Sequence, residues 1–276
     1  MSDRTRSRIA AINLPRTRTK AHSKIDMETE MADESFEPSM WRNELKAIAF
    51  DVQGTTADFY EPLLRAGTAI NRSKGLSINW SEMSTEWRGL YRQMLDEVIE
   101  GKRPWTRVDH IYCETLDTLL KSHGLEFTQE ERDALNAVWS QLDPWPDSVE
   151  GLTRLRRHFT IATLSNTGMA AAVSIAKHAQ LPFDAVLTAE LAKIYKPAPE
   201  VYQLAVDYLG YRPDQILMVA CHKYDLRAAK AFGMRTAFVA RPLEFGPDAQ
   251  PDIAPESWID CCVDSFTALA DRLGAI

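Results

Sequence analysis

The sequence predicts an α/β protein, a doubly wound parallel sheet core with a helical-bundle cap subdomain inserted after the first strand. Three observations carry that expectation. An apolar run at 45–50 ends on Asp51 and a Gly54 turn, as a short buried strand would. From 61 to about 145 the apolar residues instead recur three and four apart, the spacing of amphipathic helices. From 148 onward short apolar runs alternate with helical segments, the order of a parallel sheet whose crossovers are helices.

Composition bounds the function. With 276 residues, 45% of them hydrophobic, the chain can bury one substantial core, so one domain with an insertion is favoured over two domains. The net charge of −7 argues against a general affinity for nucleic acid or anionic membrane. No apolar stretch approaches the length of a membrane span. Cys113, Cys221, Cys261 and Cys262 lack paired metal-ligand spacing and read as reduced thiols of a cytoplasmic protein.

Taken in order, residues 1–42 run from a basic stretch (Arg4, Arg6, Arg8, Arg16, Arg18, Lys20) to an acidic one, with little apolar mass to offset ordering, so a disordered extension is expected. The core is expected over 43–59 and 147–276, and the helical cap over 60–146. Within the cap, segments 61–75, 81–100, 107–123 and 128–142 read as helices, punctuated by Gly75, by Gly101 with Pro104, and by Gly124. A stiff Pro-rich hinge at 143–147 comes next. Beyond it come strands at 160–164, 183–187, 216–220 and 236–239 with helices between them, a Pro-rich surface loop at 244–256, a last short strand and a helix at 265–273.

The polar residues of interest fall just past the apolar strands, the edge where open parallel sheets bind ligands. Asp51 and Thr55 come after the first strand, Ser165 and Asn166 after the second, and Lys196 lies in the loop after the third. The segment 221–225 comes after the fourth. Each has a plainer reading alone, Asp51 as a helix cap and Lys196 as a solvated cation. Four strand ends in sequence make coincidence a poor account.

These motifs resemble those of the haloacid dehalogenase superfamily, over about 45–273. Phe50-Asp51-Val-Gln-Gly-Thr55 is similar to its first motif, Leu164-Ser165-Asn166 to the second, Lys196 through Tyr202 to the third, and Val219 through Asp225 to the fourth. Most members are Mg²⁺-dependent phosphatases with a second Asp two residues after the nucleophile. Here that position is Gln53, and Cys221 stands where an acidic metal ligand is usual. A thiol and one carboxylate fewer suit a hard cation poorly, so phosphatase activity is disfavoured.

The same departures resemble the (S)-2-haloacid dehalogenase branch, to which Trp87-Arg88 in the cap also corresponds. The resemblance implies a small carboxylate substrate, no metal or other cofactor, and often a homodimer. It implies Asp51 as nucleophile, attacking C2 to form an ester, with Lys196 holding it ionised. Ser165 would bind the substrate carboxylate, and Arg88 with Asn166 the departing halide. Asp225 would orient or deprotonate water, while Thr55 and Tyr202 supply supporting hydrogen bonds, Tyr202 chiefly to Lys196. Gln53, His222 and Tyr224 are expected to line the pocket, His222 in place of the usual Asn. Because Gln53 replaces an aromatic residue, opening of azetidine-2-carboxylate by the same ester route is an alternative, and a catalytically idle binding protein a more distant one.

Overall fold

The computed structural model describes residues 41–276. The expected extension therefore lies, up to residue 40, outside the described residues, while Arg42–Glu44 form a single 3₁₀ turn leading into the core. The strands and helices are β1 (Ala47–Phe50), β2 (Ala57–Asp58), α1 (Tyr60–Lys74), α2 (Trp80–Ile99), α3 (Val108–Ser122) and α4 (Gln129–Ala137). Next come β3 (Asp143–Pro144), α5 (Ser148–Arg156), β4 (Thr160–Ser165), α6 (Met169–His178), β5 (Ala185–Thr188) and α7 (Pro199–Leu209). The chain ends with β6 (Ile216–Ala220), α8 (Lys223–Phe232), β7 (Arg235–Val239), β8 (Cys261–Val263) and α9 (Phe266–Leu273).

Six strands form one parallel sheet in the order β5-β4-β1-β6-β7-β8. Every residue of β1 is fully buried, which is why this strand reads as a continuous apolar run without alternation. Ala47 lies opposite Thr160 on one side and Ile216 on the other, so β1 is flanked by two strands reached later in the chain. Such a reversal of strand order opens a crevice at the carboxyl ends. It sets Asp51, Ser165 and Cys221 on neighbouring strand ends.

Helices α1, α2, α3 and α4 contact one another in a closed ring, α4 returning to α1. Gly67 makes the α1–α2 approach feasible, since a Cβ there would lie 2.1 Å from the Trp80 ring. Asn79 caps α2 by accepting from Ser81 and Glu82 N–H, and Trp87 buries its indole with Nε1 donating to Thr115 Oγ1 at 2.9 Å. The segment read as one helix at 128–142 stops being α-helical at Ala137 and continues as a 3₁₀ turn. The expected hinge is also more ordered than a proline linker: β3 pairs antiparallel with β2, tying the exit of the bundle to its entrance. No described helix is long and apolar enough to cross a membrane.

Candidate active site

Asp51 prolongs β1 by one residue, its N–H donating to Val219 O at 3.0 Å. The chain then leaves the sheet through Gly54, which takes φ +85°. A Cβ on Gly54 would lie 2.3 Å from Glu244 Oε1, so glycine is required both by the backbone and by its neighbour. The turn is clamped by Trp145 Nε1 donating to Gly54 O at 2.8 Å, Ser148 Oγ to Thr56 O at 2.7 Å and Arg241 Nε to Thr55 O at 2.9 Å. Arg241 is itself held by both oxygens of Asp147, at 2.7 and 3.0 Å, a bidentate pair that fixes its plane.

Behind Asp51 sits a buried charge cluster. Lys196 Nζ donates to Asp51 Oδ1 at 2.9 Å, to Leu164 O at 2.8 Å and to Asp225 Oδ2. Asn166 Oδ1 accepts the Lys196 backbone N–H at 2.7 Å, which positions the loop delivering that ammonium. Burial works against the charge of Asp51, but Lys196 and His222 outweigh it and hold the carboxyl well below its usual range. For Lys196 burial is likewise overcome, by Asp225 and Asp51, and its pKa is raised. Thr55 Oγ1 lies 3.0 Å from Asp51 Oδ2 and accepts the Cys221 N–H at 3.1 Å, joining the first and fourth strand ends.

In front of Asp51 opens a cavity of about 330 Å³, which Gln53, Arg88, Ser165, Asn166, His222 and Tyr224 also line. Arg88 comes from α2 and lies over the rings of Tyr91 and Phe59, at 4.6 and 4.8 Å. Its Nη1 donates to Tyr112 Oη at 2.8 Å and to Gln53 Oε1 at 3.1 Å, and Tyr112 donates to the same Gln53 oxygen at 2.7 Å. Tyr112 is stacked between Tyr91 and Trp139, at 4.6 and 4.2 Å, so the guanidinium rests on a rigid aromatic wall. His222 reaches Asp51 Oδ2 with Nδ1 at 3.2 Å and Glu244 Oε1 with Nε2 at 2.8 Å.

The arrangement does not fit a hard divalent cation. Both Asp51 oxygens already face donors, Lys196 on one and Thr55 and His222 on the other. Gln53 and Cys221 add no carboxylate. Among the described residues one donor trio, Cys221, His222 and Glu244, brings its atoms within 4.8 Å of one another. Its His–Glu pair is a hydrogen bond, and burial with the Glu244 charge pushes the Cys221 thiol up, away from the thiolate a metal would bind.

A family model for haloacid dehalogenase-like hydrolases matches residues 45–233. The chain belongs to this family. It is 31% identical over 204 residues to (S)-2-haloacid dehalogenase 4A of Burkholderia cepacia, a match covering 71% of this chain and 84% of that one. An (S)-2-haloacid dehalogenase of Pseudomonas sp. strain YL is 28% identical over 201 residues, covering 71% and 83%. A solved L-2-haloacid dehalogenase superposes with TM-score 0.80 at 36% identity, over 84% of this chain and 100% of that one. A solved defluorinating L-2-haloacid dehalogenase gives TM-score 0.80 at 32% identity, over 83% and 95%.

In this haloacid dehalogenase-like hydrolase the residues read from the strand ends divide into two layers. Asp51, Gln53, Arg88, Ser165, Asn166, His222 and Tyr224 line the cavity, whereas Lys196, Asp225, Thr55 and Tyr202 stand behind it. Two expectations need correction. Tyr202 is fully buried and donates to Asp225 Oδ1 at 2.7 Å, not to Lys196 and not into the pocket. Asp225 has one oxygen taken by Tyr202 and the other by Lys196, and lies in the first turn of α8, not in a loop, so it has no free face for water.

Asn166 also differs from expectation: its amide is paired in both directions with the Lys196 backbone, although the donor side is long at 3.4 Å. Sequence reasoning missed Tyr112, hidden among core-facing residues of a helical pattern, and Glu244. Glu244 falls at the start of the expected surface loop, but is buried against Gly54.

Proposed function

We propose that this chain is a metal-independent dehalogenase that hydrolyses small (S)-2-haloacids to 2-hydroxy acids and halide through an ester on Asp51. The observation carrying this reading is the buried Asp51 carboxylate, held ionised by Lys196 at 2.9 Å and facing a cavity that also presents the Arg88 guanidinium. A carboxylate kept charged by the cation beside it suits back-side displacement at a tetrahedral carbon. A cavity of about 330 Å³ is at the small end of ligand pockets, as a three- or four-carbon acid requires. The names of the relatives support the leaving group: they are (S)-2-haloacid dehalogenases.

In this reading Asp51 attacks C2, inverting it, while Lys196 keeps the nucleophile charged and is itself buttressed by Asp225 and Tyr202. Ser165 and nearby backbone N–H groups bind the substrate carboxylate. Arg88, with Gln53 beside it, receives the halide where negative charge grows. Tyr224 closes the pocket, and Thr55 steadies Asp51. The core would span 43–59 and 147–276 and the cap 60–146. Four free thiols suit a reducing compartment such as the cytoplasm, and a homodimer is the assembly we infer from the family resemblance.

The test is a substrate panel in chelator-treated buffer. Halide release from (S)-2-chloropropionate, with none from the R enantiomer, is the expected result. Mg²⁺-dependent hydrolysis of p-nitrophenyl phosphate, with no halide release, would overturn it. Azetidine-2-carboxylate belongs in the panel, though the dehalogenase names of the relatives give ring opening no support.

A further inference from the structure

We propose that His222, oriented by Glu244, is the general base of the second half-reaction, the hydrolysis of the ester formed on Asp51. This role rests on the covalent reading of the site and concerns the step after the halide has left. Water must then attack Cγ of Asp51, and a group beside that carbon has to accept its proton. Among the described residues three side chains hydrogen-bond the Asp51 carboxyl: Lys196 on Oδ1 at 2.9 Å, Thr55 on Oδ2 at 3.0 Å and His222 on Oδ2 at 3.2 Å. Lys196 is a cation whose charge is reinforced by two carboxylates, and a threonine hydroxyl is no base. Asp225 lies across Lys196 with both oxygens engaged. His222 alone of these titratable neighbours also lines the cavity, with 17% of its side chain exposed.

Its other nitrogen shows why it would work as a base. Nε2 lies 2.8 Å from Glu244 Oε1, and Glu244 is 4% exposed. Glu244 is placed by the Arg241 turn, whose carbonyl accepts the Glu244 N–H at 3.2 Å, and by the missing Cβ of Gly54. A carboxylate on one ring nitrogen fixes the tautomer and leaves the other nitrogen to work. Here the nitrogen left to work, Nδ1, is the one aimed at Asp51.

The charge sequence closes. In the free protein burial opposes the imidazolium, but the Glu244 carboxylate and the hydrogen bond to Asp51 outweigh it and raise the His222 pKa, which favours the protonated ring beside the Asp51 carboxylate. When Asp51 displaces halide, its C2–O bond forms, the C2–halogen bond breaks and its negative charge is lost. Nδ1–H then faces a neutral ester and gives its proton to solvent. Water adds to Cγ and passes a proton to Nδ1. As the intermediate collapses, the Cγ–O bond to the substrate breaks and the leaving alkoxide takes that proton, becoming the 2-hydroxy acid. The proton left on the Asp51 carboxyl moves to Nδ1 and restores the starting pair. The net yield is one hydroxy acid, one halide and one proton per water consumed.

The experiment monitors both half-reactions by rapid quench with (S)-2-chloropropionate, reading halide release and the mass of the Asp51 peptide. His222→Asn keeps a donor facing Asp51 but is not a base. It should retain a halide burst of about one equivalent and accumulate ester, with turnover slowed about 10²–10³-fold. In His222→Ala, added imidazole should speed ester loss and leave the burst unchanged. Glu244→Gln, a change at a positioning residue, should show the same burst and then a milder slowing of ester loss; a merely structural role would depress both phases together. Ester loss at the wild-type rate in His222→Asn overturns the proposal, as does loss of the burst in a folded variant. Absence of any Asp51 ester in wild-type protein and variants alike would instead strike the covalent reading beneath it.

Discussion

At Lys196 a single buried ammonium serves two buried carboxylates, Asp51 at 2.9 Å and Asp225. Removing one partner of such a cluster leaves charge uncompensated in a low dielectric, which costs about 3–5 kcal/mol. Lys196→Met should therefore both abolish halide release, by at least about 10³-fold, and lower the urea midpoint, two effects that assay and melt read separately. Gln53 permits a subtler test. Its Oε1 faces Arg88 and Tyr112, while its buried Nε2 has no acceptor among the described residues. Gln53→Glu would set a second oxygen beside the guanidinium and compensate its charge, so KM for 2-chloropropionate should rise about tenfold or more with the fold retained; an unchanged KM would remove Gln53 from the anion site. Asp51, Ser165, Lys196 and Asp225 were legible because each stands at the carboxyl end of an apolar strand or in the loop or first helical turn that it feeds. Glu244 was not, since its place depends on a distant glycine whose missing side chain makes room for it.

Among the elements, the short β2–β3 ladder was the least foreseeable, because two-residue strands carry no periodicity and one of them contains proline. The entry to α1 lies on it. Asp58, at the end of β2, accepts the Tyr60 N–H at 2.7 Å, and burial pushes its carboxyl up to about 6 against the pull of its backbone hydrogen bonds. A raised carboxyl pKa contributes stability that is full below the unfolded value near 4 and is lost as pH rises through about 6. Asp58→Asn keeps an acceptor for the Tyr60 N–H and removes that titration. Its melting temperature should exceed the wild-type value by a few degrees at pH 8, the gap closing below pH 4; a gap constant with pH would refute the burial account. The α8 boundary has a different cause. Residues 221–225 read as loop because their polar side chains lack the helical apolar pattern, but the helix begins at Lys223 and holds Asp225 in its first turn.

For the molecule as a whole, fold and chemistry were readable together because both arise from one fact, the reversal of strand order at β1. Continuous apolar runs marked the buried parallel strands, helical spacing marked the bundle, and the charged residues fell at the edge where the sheet opens. What the pattern could not supply was depth: which polar groups face the cavity and which support it from behind. That division depends on side-chain pairing across elements far apart in sequence, as with Tyr202 on Asp225 and Arg241 on Asp147. In the proposed mechanism it moves the burden of the second half-reaction from Asp225 to the His222–Glu244 pair. Whether Asp51 carries the substrate as an ester can be read from a single turnover of (S)-2-chloropropionate in ¹⁸O-water with the metal-free protein in excess. Label should enter the Asp51 carboxyl while the first product carries unlabelled oxygen; label appearing directly in that product, with none in Asp51, would rule the ester out.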